Sequence, residues 1–416
     1  MRLSFFLLFL WSTAVAAQCP GELSAYFTGS ERVGPEMFAA LRSDLNEATL
    51  IGIGEDTHGS VEFTAMIEHL TAALLEEHDD IGLILETMVG EAVALDEYIH
   101  GLRDDYQYII GRINSTWRYQ TPTFRRLMDY LRTVNTTTEQ NVSLYGPEVQ
   151  YVLADRDRLN DYLARVGSDV RLGGFEQHVW QQASLSQSTN ELIDLQRAER
   201  EFREQEERFT AEAGAASYRQ ARRHLNALRQ FLTIRLQTVE AAKHDLRDLH
   251  MAYNILDLIR AGHHEKYVHW AQNAHVGKDQ YNGTADGAGR ELAKQLGTSY
   301  YTIKTDFGGG SFLAYPPDAN ERGWRLESAS YGPVREGTIS HCLDNWLGQG
   351  QPVGVLDLRR AVTASDTLRN YLSTAVREMN GAGAQYGSKP TTTTVLHPGF
   401  DAVLYFREST PLERFE

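Results

Sequence analysis

The stretch LIGIGEDTHGS, residues 50–60, passes from an apolar run directly into an acid, a hydroxyl group, a histidine and a glycine. The apolar run, taken from residue 49 to residue 54, has the length and character of a buried strand. Glu55 and His58 follow it and carry ionisable groups. Since ligands in open α/β sheets bind beyond the carboxyl ends of the strands, the stretch predicts both a strand and a functional site at its end.

Apolar runs of this kind recur along the chain and alternate with segments of helical periodicity. Between the first two runs, apolar side chains fall on one face of a helix, at Phe63, Met66, Ile67, Leu70 and Leu74. This order predicts a β-α-β unit and therefore a parallel pair of strands. The whole sequence predicts an α/β fold, a mainly parallel sheet flanked by helices. The predicted strands are residues 49–54, 81–86, 142–145, 266–271, 300–304, 353–358 and 402–406.

Residues 186–260 have a different character, because charges of both signs crowd around a narrow apolar stripe. The stripe consists of Leu195, Ala198, Phe202 and Phe209 on a first arm and Leu225, Leu228, Leu232 and Val239 on a second. The small residues AEAGAAS, 211–217, fit a turn between the arms. The pattern predicts a long helical hairpin inserted into the α/β domain. Such a hairpin could cover a cleft or serve only to stabilise the domain.

The N-terminal segment has the features of a secretory signal. Arg2 precedes an apolar run at 5–10, and the small residues STAVAA follow. We expect cleavage after Ala17, a secreted or periplasmic protein, and an α/β domain over residues 18–416. Neither this run nor any later one approaches the roughly 20 apolar residues of a membrane-spanning helix, so no stable membrane insertion is predicted.

The overall composition excludes some partners and favours one covalent link. The net charge is −16, from 56 acids against 40 bases, and this disfavours nucleic acid as a partner. Cys19 and Cys342 are the only cysteines. In an oxidising compartment an even pair is more often bridged than free, so we expect a disulfide between them.

Polar residues follow the other predicted strands in the same way that Glu55 and His58 follow the first. Glu86 ends the second strand, Glu148 and Gln150 follow the third, and Asn273 and His275 follow the fourth. A single acid at a strand end is ordinarily a helix cap or a loop acceptor. Several at one sheet edge instead predict a pocket for a small molecule.

These residue types suit proton transfer to and from water. A neutral His58 could accept a proton, with Glu55 fixing its tautomer and raising its pKa, while His275 donates to a developing oxyanion. No Gly-x-Ser-x-Gly elbow supports a covalent mechanism. His58, His275 and a glutamate would match the ligand count of catalytic zinc, but no His-Glu-x-x-His or His-x-His pair is present. The sequence therefore favours a hydrolase without metal or cofactor. A metal-dependent hydrolase and a ligand-binding protein without activity are the alternatives.

Several blocks resemble the erythromycin esterase family. GIGEDTHGSVEF (52–63) is similar to that family's Gly-Glu-x-Thr-His-Gly signature, and RDLHMAYN (247–254) with VHWAQNAHVG (268–277) resembles its second block. Similar blocks are YYTIKTDFGGGSF, VGVLDLRRA and FDAVLYFRESTP. The resemblance implies a hydrolase that opens a macrocyclic lactone ester by direct attack of water, without a metal.

The resemblance also implies roles for individual residues. His58 would be the general base, Glu55 its partner, and His275 a second essential histidine. Together with the strand-end residues, the predicted substrate-binding set is Glu86, Glu148, Gln150, Arg247, Asp248, Asn254 and Asn273.

The sequence departs from the family pattern around the predicted pocket. Gln272 stands where the family usually has His, and Tyr253 where it has Glu. An Arg near Ile67 and an acid within YQTPTF (119–124) are missing. The base and its partner are retained while their surroundings change, so we expect the substrate to be a small-molecule ester or amide other than erythromycin.

Overall fold

A central sheet carries most of the structure. The computed structural model describes residues 19–114, 117–181, 183–279, 287–319, 323–374, 376–379, 384–386 and 391–415, so the predicted signal of residues 1–17 lies outside it. Among these residues nine strands form one sheet in the order β1-β8-β11-β6-β2-β5-β3-β4, with β7 paired to β6. Its strands are β1 Phe27–Ser30, β2 Leu50–Glu55, β3 Asp80–Leu85, β4 Asn141–Tyr145, β5 Lys266–Gln272, β6 Tyr300–Ala314, β7 Glu327–Tyr331, β8 Val353–Asp357 and β11 Ala402–Ser409. Strands β9 Val376–Met379 and β10 Thr391–Thr394 form a separate antiparallel pair.

The predicted α/β class is confirmed. Strands β4, β3, β5, β2, β6 and β11 run parallel, and among the described pairs of this sheet only β11–β8, β8–β1 and β6–β7 are antiparallel. The first two predicted strands share a direction, but they are not neighbours, because β5 lies between them. The helical connection from β2 to β3 skips one strand position in the sheet. Residues 266–272, which form β5, occupy that position.

The predicted strands all exist, and the errors lie mostly in their lengths. β6 continues ten residues past the predicted end at Lys304, to Ala314. The sequence hides this extension because the strand includes a charged residue and the glycines 308–310. Gly308 is needed there, since a Cβ would come within 2.5 Å of the Arg407 carbonyl oxygen of the neighbouring strand. The short strands β1, β7, β9 and β10 were not predicted.

Helices cover both faces of the sheet. The predicted apolar face of α2 is buried in the main core together with residues of β2, β3 and β5. On the opposite face α10 packs Met251 and Ile255 against β2 and β3. The helices are α1 Arg42–Glu47, α2 Val61–Leu75, α3 Val89–Ile99, α4 Tyr106–Ile110, α5 Pro122–Thr137, α6 Leu153–Arg165, α7 Leu185–Glu204, α8 Glu206–Ala213, α9 Ala215–Arg235, α10 Glu240–Ala261, α11 Asn273–Val276, α12 Ala288–Leu296, α13 Ile339–Trp346, α14 Leu358–Ala364 and α15 Asp366–Leu372.

The charged segment 186–260 is helical throughout most of its length. Helices α7 to α9 bury their apolar stripe in a second core with α6, and Gly214 forms the α8–α9 turn with a φ of 85°. The prediction for Val239 is wrong, because its side chain is 61% exposed and it immediately precedes α10. Since α10 packs on the sheet itself, it is part of the α/β core. The predicted division into a domain and an inserted hairpin stays a prediction.

A disulfide joins Cys19, ahead of β1, to Cys342 in α13, as the cysteine pair predicted. Among the residues described, no helix combines the length and the apolar character needed to cross a membrane.

Candidate active site

The GEDTHGS segment, residues 54–60, forms a tight turn at the carboxyl end of β2. Glu55 is the last residue of the strand, and His58 lies three residues later at the bottom of the turn. Two glycines permit this path: a Cβ on Gly54 would come within 2.2 Å of the Asn273 side chain, and one on Gly59 within 1.8 Å of the Leu313 carbonyl oxygen. The turn therefore packs closely between β5 and β6, and the side chains of Glu55 and His58 are buried.

The hydrogen bonds of His58 indicate one tautomer. Its Nδ1 contacts Glu55 Oε1, and the amide nitrogen of Gln272 lies 2.8 Å from its Nε2. A proton on Nδ1 satisfies both contacts, because Nδ1 then donates to the carboxylate while Nε2 accepts from the amide, and the nearby Arg118 Nη1 donates to Glu55 rather than to the ring. Trp270 Nε1 donates to the other carboxylate oxygen at 3.0 Å. This tautomer leaves the accepting nitrogen of His58 on the side of Gln272.

Arg118 is the main residue of this site that the sequence did not predict. It lies on a short 3-10 segment, Trp117–Tyr119, and its side chain is fully buried. The guanidinium forms an ion pair with Glu55 and a longer one, 3.5 Å, with Glu86. Its Nη1 lies 2.9 Å from His58 Nδ1. Burial lowers the pKa of Arg118, whereas the neighbouring Tyr119 raises it.

The local sequence explains how Arg118 is held. Thr121 caps α5 by accepting from the Phe124 N–H, and its hydroxyl donates to the Arg118 carbonyl oxygen at 2.9 Å. The guanidinium lies over the rings of Tyr119 and Trp270, at 4.9 and 4.7 Å from their centroids. An arginine between two aromatic residues, three positions before the Thr121-Pro122 helix start, was the available signal in the sequence.

A second arginine connects two predicted acids. Arg247 on α10 lies 3.2 Å from Glu86 and donates from Nε to Glu148 at 2.5 Å. Gln150 also donates to Glu148, at 3.0 Å. Burial raises the pKa of Glu86, but the nearby His275, His58 and Arg247 outweigh it and lower the pKa overall. Glu86 is therefore an anion shared between the two arginines.

His275 lies on the opposite side of Glu86 from His58. Its Nδ1 is 2.5 Å from Asp248 Oδ1, and its Nε2 is 3.6 Å from Glu86 Oε1. The N–H of Ala288, at the start of α12, donates to the same Asp248 oxygen at 3.2 Å. Burial lowers the pKa of His275, but Asp248 and Glu86 more than offset it, so the pKa is raised.

The pKa values of the two histidines are displaced in opposite directions. Burial lowers the pKa of His58 to about 4, with Glu86 opposing it. The sequence-based expectation of a raised pKa for His58 is thus wrong. It counted the charge of Glu55 but not burial, and it omitted Arg118, which pairs with that carboxylate. At neutral pH His58 is uncharged, and a larger share of His275 carries a proton than an unperturbed histidine would.

One cavity of about 350 Å³ brings most of the predicted residues together. Six of them line it: His58, Glu86, Glu148, Gln150, Arg247 and His275. The lining residues that were not predicted to bind substrate are Met88, Asn114, Trp117, Gln272, Tyr315 and Ala384. Most of these come from loops whose sequences carry no recognisable pattern.

The other predicted residues lie behind the cavity wall. Glu55 and Asp248 support the two histidines. Asn273 is 2% exposed and bonds the backbone of Thr305 through both side-chain atoms, so it braces β5 against β6. Asn254 donates to the Pro147 carbonyl oxygen at 2.8 Å and thereby holds the loop that carries Glu148. Asn254 and Asn273 therefore support the site and do not line this cavity.

A metal ion fits this cluster poorly. Ligand atoms of Glu55, His58 and Glu86 lie within 4.8 Å of one another, a spacing that could hold a metal. However, the buried guanidinium of Arg118 already pairs with both carboxylates. A divalent cation would have to enter beside that fixed positive charge in a region of low dielectric, where repulsion is strong. The arginine thus supplies the positive charge that a metal ion would otherwise supply to these carboxylates.

Comparisons with known proteins agree with this architecture. The family model described as erythromycin esterase matches residues 75–409, a region that begins after the GEDTHG turn and includes the other lining residues. A comparison with curated proteins finds no match.

Solved structures with a similar fold cover almost the whole chain. A protein from Bacillus cereus has a TM-score of 0.78 at 18% identity, covering 95% of this chain and 98% of its own. A protein named as a succinoglycan biosynthesis protein has a TM-score of 0.77 at 17% identity, with coverages of 94% and 96%. A histidine-to-asparagine variant of the erythromycin esterase EreC, in its open conformation, has a TM-score of 0.67 at 16% identity, with coverages of 92% and 98%. Since the family match spans most of the chain, the protein belongs to the erythromycin esterase family.

Proposed function

We propose that the protein is an exported hydrolase that cleaves a carboxylic ester by adding water, with His58 as general base. Membership of the erythromycin esterase family supports a hydrolase. The observation that carries the proposal is the opposite displacement of the two histidine pKa values around one cavity. Neighbouring groups whose pKa values are pushed apart are suited to act as a base and an acid.

The proposed reaction uses each histidine once. A water molecule displaces the Gln272 amide from His58 Nε2 and attacks the ester carbonyl carbon while Nε2 takes its proton. The carbonyl oxygen becomes an oxyanion that accepts hydrogen bonds from His275 Nε2–H and Arg247. When the intermediate collapses, the bond to the alcohol oxygen breaks, and this oxygen receives the proton from His58. The products are an acid and an alcohol, and the base returns to its neutral form.

The carboxylates hold this machinery in place. Glu55 accepts from Nδ1 of His58 and stabilises the imidazolium that forms, as far as its pairing with Arg118 allows. Asp248 supports the protonated form of His275. Glu86 and Glu148 fix Arg247 so that its guanidinium faces the cavity. Little reorganisation is then needed when charge develops in the transition state.

The cavity supports a substrate smaller than a macrolide. A volume of about 350 Å³ is at the low end for small-molecule sites and leaves no room to enclose a glycosylated macrocycle. Charged and polar side chains dominate the wall, with Met88, Trp117 and Tyr315 as the larger apolar surfaces. We therefore propose a compact ester with a polar acyl part. Of the positions that depart from the family pattern, Gln272 lies at this wall.

Export remains part of the proposal. The signal-like features of residues 1–17 and the disulfide between Cys19 and Cys342 both support a secreted or periplasmic location.

The test is to incubate the purified protein with a panel of macrolides and small esters and to measure the addition of one water by mass spectrometry. We expect hydrolysis of a small ester that is lost in His58→Gln. The matched control is His69→Gln on α2, a half-buried histidine that does not line the cavity. Wild-type turnover by the His58→Gln variant, at equal folding by circular dichroism, would overturn the mechanism.

A further inference from the structure

A second and larger cavity, of about 940 Å³, lies between α9 and α10. Its floor is formed by the start of α3 and by residues 144–146 at the end of β4. The loop that follows β4 separates it from the first cavity, because Gly146 lines the second cavity and Glu148 the first. The volume is within the range of sites for organic ligands.

The rim of this second cavity is strongly basic, although the chain as a whole is acidic. Five arginines line it, Arg219, Arg222, Arg223, Arg229 and Arg260, against the two acids Asp96 and Asp257. Both acids are already engaged, since Asp257 pairs with Arg260 at 3.3 Å and Asp96 accepts from the Leu144 N–H at 2.8 Å. The remaining arginines thus present an excess of positive charge.

Arg219 and Arg223 are the most informative pair. They lie one turn apart on α9, where like charges repel. Burial lowers the pKa of Arg223, Tyr145, Tyr267 and Asp257 raise it, and Arg219 lowers it further. In the part of the chain that the structure describes, neither has a carboxylate within ion-pair distance. Arg223 is half-buried over the Tyr145 ring, at 5.7 Å from its centroid. The protein therefore retains an unfavourable arrangement that an anion would relieve.

A histidine adds an unused polar atom to the same wall. The Nε2 of His250 on α10 is buried and has no hydrogen-bond partner among the described residues. Burial lowers the pKa of His250 to about 4, so the ring is neutral at pH 7 and able to donate one hydrogen bond. An unsatisfied buried nitrogen is costly unless a ligand satisfies it.

The floor between these polar groups is apolar. It consists of Val89, Ala92, Val93, Leu144 and Leu258. Tyr253, whose side chain is 40% exposed, stands at the side on α10. This floor fits an alkyl or aromatic body rather than a bare inorganic ion.

We propose that the cavity between α9 and α10 binds an amphiphilic organic oxyanion, an organic phosphate monoester or a carboxylate whose charged group contacts Arg219 and Arg223 and whose apolar body lies on the floor. Ala92, Leu144 and Leu258 of the floor are buried, and this favours a free molecule over a membrane headgroup. This site is separate from the proposed hydrolytic site, and its test does not depend on enzymatic activity.

The test is isothermal titration calorimetry of the full-length protein with octyl phosphate and octanoate as probes. We expect one site per chain. The double variant Arg219→Gln/Arg223→Gln should weaken binding about tenfold or more, the effect of losing charge-assisted hydrogen bonds. Arg197→Gln is the matched control, since this exposed α7 residue does not line the cavity. Circular dichroism checks that each variant folds.

Further probes test the contributions of the charged group and of the apolar body separately. Inorganic phosphate should bind more weakly than octyl phosphate, and the uncharged octyl glucoside should not bind at the site. Equal binding of octyl glucoside, or unchanged affinity in the double variant, would overturn the proposal. Vesicles of phosphatidylcholine with phosphatidic acid distinguish a membrane source: co-sedimentation that the double variant abolishes would contradict a free ligand.

Discussion

Replacing Arg118 by methionine should raise the pKa of His58 by several units. Methionine keeps most of the side-chain volume but removes the charge that pairs with Glu55. Glu55 would then act on the imidazolium of His58 without a compensating cation. Burial, which lowers the pKa of His58 to about 4 in the wild-type protein, would remain, so the expected change is the loss of the repulsion between the guanidinium and the imidazolium.

The geometry sets the size of the effect. The guanidinium Nη1 lies 2.9 Å from His58 Nδ1. Two unit charges about 4 Å apart interact by about 4 kcal/mol at an effective dielectric constant of about 20, which corresponds to roughly 3 pKa units. The pKa of His58 in Arg118→Met should therefore reach about 7. Because a base must be unprotonated, the rising limb of activity should move to higher pH by the same amount.

The assay is nuclear magnetic resonance of protein labelled at histidine Cε1, which requires no substrate. The His58 signal is assigned by its loss in His58→Gln, and its shift is followed from pH 4 to 9 in both proteins. Arg125→Met on α5 is the control, since this partly exposed arginine pairs only with Asp129 among the described acids. A wild-type His58 that titrates at or above 6.5, or an Arg118→Met variant without a shift, would refute the reasoning.

Loss of a buried ion pair should also cost about 3–5 kcal/mol of stability, measured by urea unfolding.

Other changes test the remaining parts of the site. His58→Gln should lower kcat by about 10²–10⁴-fold with KM little changed, and steady-state kinetics on an ester that the panel shows to be hydrolysed measure it. Asp248→Asn removes the charge that raises the pKa of His275, so the falling limb of activity should move to lower pH; an unmoved limb would mean that His275 is not the acid. His269→Leu should be more stable than wild type, by about 2 kcal/mol more at pH 5 than at pH 8, because burial holds the pKa of His269 near 4 while the unfolded histidine binds a proton below about 6.5. Dialysis against a chelator should leave activity unchanged, and loss that zinc restores would favour the metal-dependent alternative.

The fold was predictable wherever one physical pattern dominated a segment. Apolar runs identified seven of the nine strands of the main sheet, and the periodicity from Phe63 to Leu74 identified α2. The order of the strands was not predictable, because the placement of β5 between β2 and β3 depends on packing between residues far apart in sequence. The same limit explains Val239, which continues the apolar spacing of α9 but lies beyond the end of that helix.

The site was predictable where residues follow strands, and less so where loops supply them. Glu86, Glu148 and His275 were found because parallel strands bring their carboxyl ends to one edge. Arg118 reaches the same place from a 3-10 segment, and nothing in its sequence position shows that it meets Glu55. The wrong sign for the pKa of His58 has a different cause, because the burial that lowers it depends on packing and cannot be seen in the sequence.

The position of β2 has a consequence for how the polypeptide folds. Leu50 pairs with Tyr267 on one side and with Tyr300 on the other, so this apolar strand has no partner until more than half of the chain has been synthesised. Contacts so distant in sequence slow folding, and an unpaired apolar strand is a site for aggregation. A fragment ending at Ala261 would retain the β3–β4 pair but neither neighbour of β2. We expect such a fragment to aggregate, and the whole protein to fold only after its C-terminal half becomes available.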